Sequence, residues 1–361
     1  MVKKINNSKL KIDNIYRLPA SSNSRLNHIR LDKNERADNH ITSFFNKLKN
    51  NITSDLISAY PEFNKIYTKL SRKLKVSSHN IVFTAGSDQA IKNTFELFYE
   101  KNKEVITIDP TFAMVDIYCK IFKTKQLKIG YDKNFQLRLK DIYEAINKNT
   151  SLIILANPNS PTGTLIKKDD LIKIIKKARR NGAKVLLDEA YHEFSTYNFS
   201  SKINDFDNLI IIRTFSKIFG LAGLRSGYVL SNKKIIKKYF AIKPMYEINS
   251  IAVKALELLL DNSKYINFYL KEMREGEIYA KQFCKKNKFK FIKCYANFFH
   301  VDFNHDPKKI QKHLLKKKIL IKGGPEVNSY ENYLRISFAK KSTIKLILTT
   351  VEKYLISKIK I

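Results

Sequence analysis

Residues 151–191 read SLIILANPNSPTGTLIKKDDLIKIIKKARRNGAKVLLDEAY, and this stretch decides the fold class. Ser151–Ala156 is an apolar run of the kind that forms a strand buried on both faces of a sheet. Asn157-Pro158-Asn159-Ser160-Pro161-Thr162-Gly163 then breaks the chain in a rigid turn. Asp169–Asn181 carries helical periodicity, and Lys184–Leu187 is a second apolar strand ending at Asp188. A strand, a crossover helix and a further strand make a βαβ unit, which implies a parallel pair.

The same alternation extends outward on both sides. Ile81–Thr84 reads as a strand, Ala85-Gly86-Ser87-Asp88 as a turn and Gln89–Phe98 as a helix. Glu104–Ile108 is a strand ended by Asp109-Pro110, with a helix over 111–122. Leu209–Arg213 is a strand running into Thr214-Phe215-Ser216-Lys217. Upstream, residues 1–40 are polar and loop-like apart from an extended piece around His28–Leu31. A helical pattern begins at Ile41 and breaks at Tyr60-Pro61, and Tyr67–Leu74 reads as another helix. Beyond about residue 250 the pattern changes to long helices, with short strands near Phe291–Phe303 and Leu334–Phe338. The expected architecture is α/β: a large domain with a mostly parallel central sheet over 44–250 and a smaller α+β domain over 251–361. The N-terminal segment 1–43 is expected to complete the smaller domain.

Composition narrows the class. With 361 residues and 43% hydrophobic content the chain can build two cores and is not a disordered polymer. No apolar run reaches the roughly 18–20 residues that span a bilayer, and Met1–Leu10 has no apolar core of a secretory signal. Cys119, Cys284 and Cys294 have no CxxC spacing, which argues against a disulfide framework or a zinc site and suits a reducing, cytoplasmic compartment. The net charge of +35 comes from lysines spread over the whole chain, as in Lys173, Lys176, Lys177, Lys233, Lys234, Lys237 and Lys238. That spread reads as solvated surface with a pull on anionic substrates, not as a nucleic-acid patch. No histidine pattern suggests a metal, and no GxGxxG or GxxxxGK[ST] motif is present.

Chemically capable residues stand where the strands end, outside which an open α/β sheet places its ligand crevice. Lys217 follows a buried strand and is flanked by hydroxyls, glycines and Arg225, so burial would free its amine as a nucleophile. Asp188 ends another strand with a carboxylate. Gly86-Ser87-Asp88 opens a helix, whose free N–H groups and dipole favour an anion. An amine, a carboxylate, a phosphate cradle and phenol or amide donors are the set that pyridoxal 5'-phosphate requires.

These motifs, in this order, resemble the class I/II aminotransferases of fold type I (aspartate-aminotransferase-like), most closely the histidinol-phosphate aminotransferases, over roughly residues 28–345. The resemblance implies transfer of an amino group by pyridoxal phosphate from an amine or amino-acid donor to a 2-oxo acid such as 2-oxoglutarate. Histidinol phosphate or another phosphate- or phosphonate-bearing amine is the implied donor, in amino-acid biosynthesis. It also implies a homodimer with shared sites. Lys217 matches the Schiff-base lysine, Ser216 and Arg225 its phosphate-binding neighbours, and Gly86, Ser87 and Asp88 the phosphate loop. Asp188 matches the partner of the ring nitrogen, Tyr191 the donor to the ring's 3-oxygen and Phe112 the stacking aromatic. Tyr60 matches a tyrosine that reaches the neighbouring subunit's coenzyme phosphate, and Arg335 the substrate-anion arginine.

The sequence departs from the family pattern in four places. Ser160 stands where Asn usually precedes Pro-Thr-Gly, leaving Asn159 as the favoured source of that amide, Asn157 as another, and greater reliance on Tyr191 as a third reading. The usual Asn-Glu-Asn-Pro segment is Lys33-Asn34-Glu35-Arg36, which puts Asn34 and Arg36 at the expected substrate side. Lys322 replaces a second anion-binding arginine, and Ala339 a glycine. Decarboxylation, or transamination of aromatic or other amino acids, on the same scaffold is the alternative, because fold alone does not fix function.

Overall fold

The computed structural model describes residues 2–8, 25–132, 134–324 and 330–359. Its main sheet has eight strands in the order β1-β5-β4-β6-β7-β8-β9-β3. These are β1 (Val2–Asn6), β3 (Ile81–Thr84), β4 (Glu104–Ile108), β5 (Lys125–Ile129), β6 (Thr150–Ala156), β7 (Lys184–Asp188), β8 (Leu209–Thr214) and β9 (Gly227–Ser231). The pairs β5/β4, β4/β6, β6/β7 and β7/β8 are parallel, whereas β1/β5, β8/β9 and β9/β3 are antiparallel. Every residue of β6, β8 and β9 is buried, so each shows an apolar run without alternation.

The crossover helices form for local reasons. In Lys168–Arg180 the buried residues Leu171, Ile174, Ile175 and Ala178 follow helical spacing. Asp169 and Asp170 stand in its first turn and Lys177, Arg179 and Arg180 in its last, each matched to the helix dipole. Gly182, with φ +78°, turns the chain out of it. Burying a Leu or Ile side chain stabilises by about 1.5–3 kcal/mol, so this one stripe holds the helix to the sheet.

A second sheet, in the order β10-β11-β14-β13, is antiparallel throughout. Its strands are β10 (Lys290–Lys293), β11 (Phe298–Asp302), β13 (Lys322–Gly323) and β14 (Leu334–Ser337), backed by the helices Lys264–Lys286 and Lys341–Ile359. A parallel pair joins β2 (Ile29–Arg30) to β12 (Ile319–Leu320). Segment 1–43, expected to contribute to the smaller domain, supplies two paired pieces. Residues 2–6 pair with β5 of the main sheet, while 29–30 pair with β12. The outer edge of β5 offers unpaired N–H and C=O groups, and β1 satisfies them with a short, exposed edge strand carrying Lys3 and Lys4. Among the described residues no helix is long and apolar enough to cross a membrane.

Candidate active site

The carboxyl ends of β6, β7 and β8 and the start of the helix Gly86–Phe98 surround a cavity of about 380 Å³. Lys217, Asp188, Tyr191, Ser87, Asp88, Phe112, Ser216 and Arg225 all line it. Asp188 is the last residue of β7, Arg225 stands two residues before β9, and the other six sit two to four residues beyond a strand end, where the chain leaves the sheet and its side chains no longer alternate into the core.

Lys217 donates from Nζ to the carbonyl of Lys33 at 3.1 Å and lies 5.6 Å from the centre of the Tyr191 ring. Asp188 is buried, and its Oδ1 accepts the backbone N–H of Ala190 at 3.0 Å. Burial pushes its carboxyl up to about 6, against the opposing pull of the Ala190 N–H and the Lys217 charge. The Tyr191 hydroxyl accepts from Asn34 Nδ2 at 2.9 Å, so its own hydrogen is left to donate elsewhere.

The anion cradle is built with little spare room. Gly86 opens its helix at φ +81°, and a Cβ there would stand 2.8 Å from Arg225 Nη2. A Cβ on Gly227 would meet the carbonyl of Arg213, the Gly86 carbon and the Ser87 nitrogen, each at 2.8 Å. Glycine at both places lets the β9 backbone and the arginine close on the helix N-terminus. Thr214 Oγ1 accepts from the Ser216 N–H at 3.1 Å and donates to Ser216 Oγ at 3.0 Å, which holds the serine beside Lys217. Asp88 accepts from the Tyr118 hydroxyl at 3.0 Å.

Other expected site residues lie outside the cavity wall. Asn159 is buried, its Nδ2 standing 2.8–2.9 Å from three acceptors, the Pro110 carbonyl, Tyr131 Oη and Thr162 Oγ1, for its two hydrogens, and its Oδ1 accepting from Thr111. Both ends of that amide are consumed in holding the turn. Asn157 is committed in the same way, to Tyr197 and to the Ile166 N–H. Pro158 and Ser160 face the cavity instead. Arg36 is not at the cleft mouth: its guanidinium stacks 3.7 Å from the centre of the Tyr269 ring and bonds to the carbonyls of Asp38 and Asn39. Asn34, with φ +56°, is 2% exposed and bonds to Tyr191, Ser337 and, through its carbonyl, Asn297.

Arg335 stands behind this wall, opposite Lys322 in the β13/β14 register, and Lys322 is exposed. Its Nη2 donates to the Asp32 carbonyl at 2.7 Å, while its buried Nε has no partner among the described residues. Tyr60 is 75% exposed and stacks on Tyr246 at 4.2 Å, away from the cavity of its own chain. Arg25, Lys33 and Glu35, none of them expected as a site residue, also line the cavity. Arg25 bridges Asp32 and Glu35 at 2.5 and 2.9 Å. Position 33 beside the Asn34 motif was the one hint available.

An amine, a buried carboxylate poised against a cation, a phenol and an anion cradle fit a phosphorylated aromatic heterocycle with a carbonyl group. A family model described as aminotransferase class I and II matches residues 15–349. The chain is 32% identical over 305 residues to histidinol-phosphate aminotransferase of Caldanaerobacter subterraneus subsp. tengcongensis, covering 83% of this chain and 85% of the relative. Against the enzyme of that name from Thermoanaerobacter pseudethanolicus it is 34% identical over 314 residues, covering 85% and 88%. The solved histidinol-phosphate aminotransferase from Clostridium acetobutylicum superposes with a TM-score of 0.78 at 25% identity, over 90% of this chain and 98% of that one.

Proposed function

This chain belongs to the aminotransferase class I and II family and is an aminotransferase; from that premise we propose that it holds pyridoxal 5'-phosphate in the cavity around Lys217. We further propose that it moves an amino group from a phosphate- or phosphonate-bearing donor, histidinol phosphate first, to a 2-oxo acid such as 2-oxoglutarate. The observation that carries the reading is the convergence of Lys217, Asp188 and the Gly86–Arg225 cradle on one cavity.

Pyridoxal phosphate supplies, when bound, an electron sink for a carbanion at the donor's α carbon. Asp188 holds a proton at the ring nitrogen, where its buried charge gains a cation to face. Lys217 Nζ, anchoring the coenzyme at rest, moves the proton at the donor's α carbon once freed. Tyr191 directs its hydroxyl hydrogen at the ring oxygen, with Asn34 fixing the phenol from behind. Ser87, Ser216, Arg225 and the N–H groups after Gly86 bind the phosphate, and Phe112 covers the ring.

The donor assignment is supported by the two relatives' names and by Lys33 on the wall, with Arg335 behind it. Arg335 is a half-buried cation whose Nε has no partner among the described residues, an arrangement that an incoming anion relieves. We also propose a two-fold dimer in which Tyr60 reaches the partner's coenzyme phosphate. Ile57, Tyr60 and Met245, each more than 65% exposed, support it. The three buried thiols suit a reducing compartment, so we assign the enzyme to the cytoplasm.

A single-turnover donor screen, read by loss of the coenzyme's visible absorption, tests the reading. Histidinol phosphate should discharge it fastest, and Arg335→Ala should raise the KM for that donor while leaving the resting spectrum unchanged. Carbon dioxide release without amino transfer would favour a decarboxylase. Faster turnover of neutral aromatic amino acids would overturn the donor assignment alone.

A further inference from the structure

Asp188 and Glu189 are adjacent in sequence, yet only Asp188 lines the cavity. Successive residues of an extended chain face opposite ways, and Glu189 is turned into the protein, 2% exposed. There its Oε2 accepts from Arg213 Nε and Nη2 at 2.9 and 2.7 Å, and its Oε1 from the Phe199 N–H at 3.2 Å. Arg213, 1% exposed, belongs to β8, and the residue before it, Ile212, pairs with Asp188. The ion pair therefore sits one residue behind the acid that meets the coenzyme, on both strands.

Such a pair contributes little to stability, since apolar residues of like volume generally do as well. Its place beside Asp188 lets it act on that carboxyl electrically. The Glu189 charge pushes the Asp188 proton affinity up, in the direction burial has already moved it. Lys217, from beyond β8, is the cation that opposes it directly. Behind the pair stand Tyr228 on β9, His192 and Glu193 in the turn after Tyr191, and Lys73 on the helix Asn64–Leu74. Burial pushes Glu193 up to about 8 and His192 well down, so both are neutral near pH 7. Arg213 is thus the cation in contact with Glu189.

We propose that Arg213 is a positioning residue that acts through Glu189, neutralising that carboxylate so that Asp188 stays ionised and thereby setting the acid limit of coenzyme binding. The inference rests on Asp188 being the partner of the ring nitrogen.

The test is the dissociation constant of pyridoxal phosphate from the coenzyme-free protein, titrated from pH 5.5 to 8.5. Arg213→Met leaves Glu189 unpaired and should move the acid fall-off in affinity up by roughly one pH unit. Glu189→Gln keeps the side chain's shape and one acceptor oxygen, giving up the bond to either Arg213 or the Phe199 N–H, but removes the charge, and should move the fall-off down. A purely packing role predicts instead that both variants bind more weakly by a factor independent of pH, and that result overturns the inference. If Arg213→Met does not fold, Glu189→Gln decides alone: no downward shift overturns it. Asp188→Asn separates the two readings. Parent-like affinity in that variant removes the Asp188 role and this inference with it. Weak binding there, with the other two variants moving the same way, removes this inference only.

Discussion

Replacing Gly86 by alanine should weaken coenzyme binding far more than it weakens the fold, and a matched control exists in the same chain. Gly86 and Gly182 have nearly equal left-handed backbones, φ +81° and +78°. An L side chain in that region costs roughly 1–2 kcal/mol, so both substitutions should lower the thermal midpoint by a similar few degrees. Their surroundings differ. A Cβ at Gly182 meets nothing within 4 Å, whereas at Gly86 it falls 2.8 Å from Arg225 Nη2, so the guanidinium must move out of the cradle. A hydrogen bond to a charged group contributes about 1.5–3 kcal/mol, which is roughly a 10- to 150-fold loss of affinity. The assay is titration of each coenzyme-free variant with pyridoxal phosphate, followed by the visible absorption, alongside thermal melts. Binding by Gly86→Ala within threefold of the parent would refute the cradle. Equal losses of affinity in the two variants would show that backbone strain, not the arginine, was responsible.

Borohydride treatment of the holoenzyme followed by peptide mass analysis should label Lys217, and Lys217→Ala should bind coenzyme without covalent capture; a label on another lysine sinks the assignment. Asp188→Asn should stabilise the coenzyme-free protein at pH 7.5 and not at pH 4. The folded carboxyl titrates near 6, above its unfolded value, so the fold binds more protons than the unfolded chain and loses stability as pH rises through that window. The gain at pH 7.5 should be on the order of 3 kcal/mol, and thermal melts in which the gain was the same at pH 4 and pH 7.5 would contradict it. The same variant should lose nearly all turnover, because the charge facing the ring nitrogen acts on the transition state. Mixed Lys217→Ala and inactive Tyr60 variants should regain activity, since a hybrid dimer has one site with both residues intact; a fully active monomer would exclude the shared site.

The parallel part of the fold was legible because β6, β7 and β8 are buried on both faces and read as unbroken apolar runs. Site residues within a few positions of those strand ends were legible for the same reason: the strand dictates where the next side chains emerge. That covers Asp188, Tyr191, Ser216 and Lys217. β1 and β5 were not legible. β1 is exposed at all five positions, and β5 is a mixed sequence of Lys, Gln and apolar residues, so neither carries a strand's hydrophobic pattern.

Asn159 shows what limits a sequence reading beyond the strand ends. The turn at 157–163 offers two amides and a serine, and its own residues do not say which faces inward. The choice is made by Pro110, Thr111 and Tyr131, which reach the turn from two other connections and saturate Asn159. Arg36 follows the same logic: Tyr269, on a helix far along the chain, offers a ring face that a segment without periodicity cannot announce. Asn34 is the reverse case, an expected substrate contact that became a strut. It joins Tyr191 to Ser337 on β14 and Asn297 before β11, so the phenol on the cavity wall is held by the second sheet. The coenzyme half of the site is therefore written at strand ends, whereas its substrate half is made where the N-terminal segment, the second sheet and the turns meet. A change at Asn34 therefore acts on both halves at once, because the same side chain that meets the second sheet also holds the Tyr191 phenol.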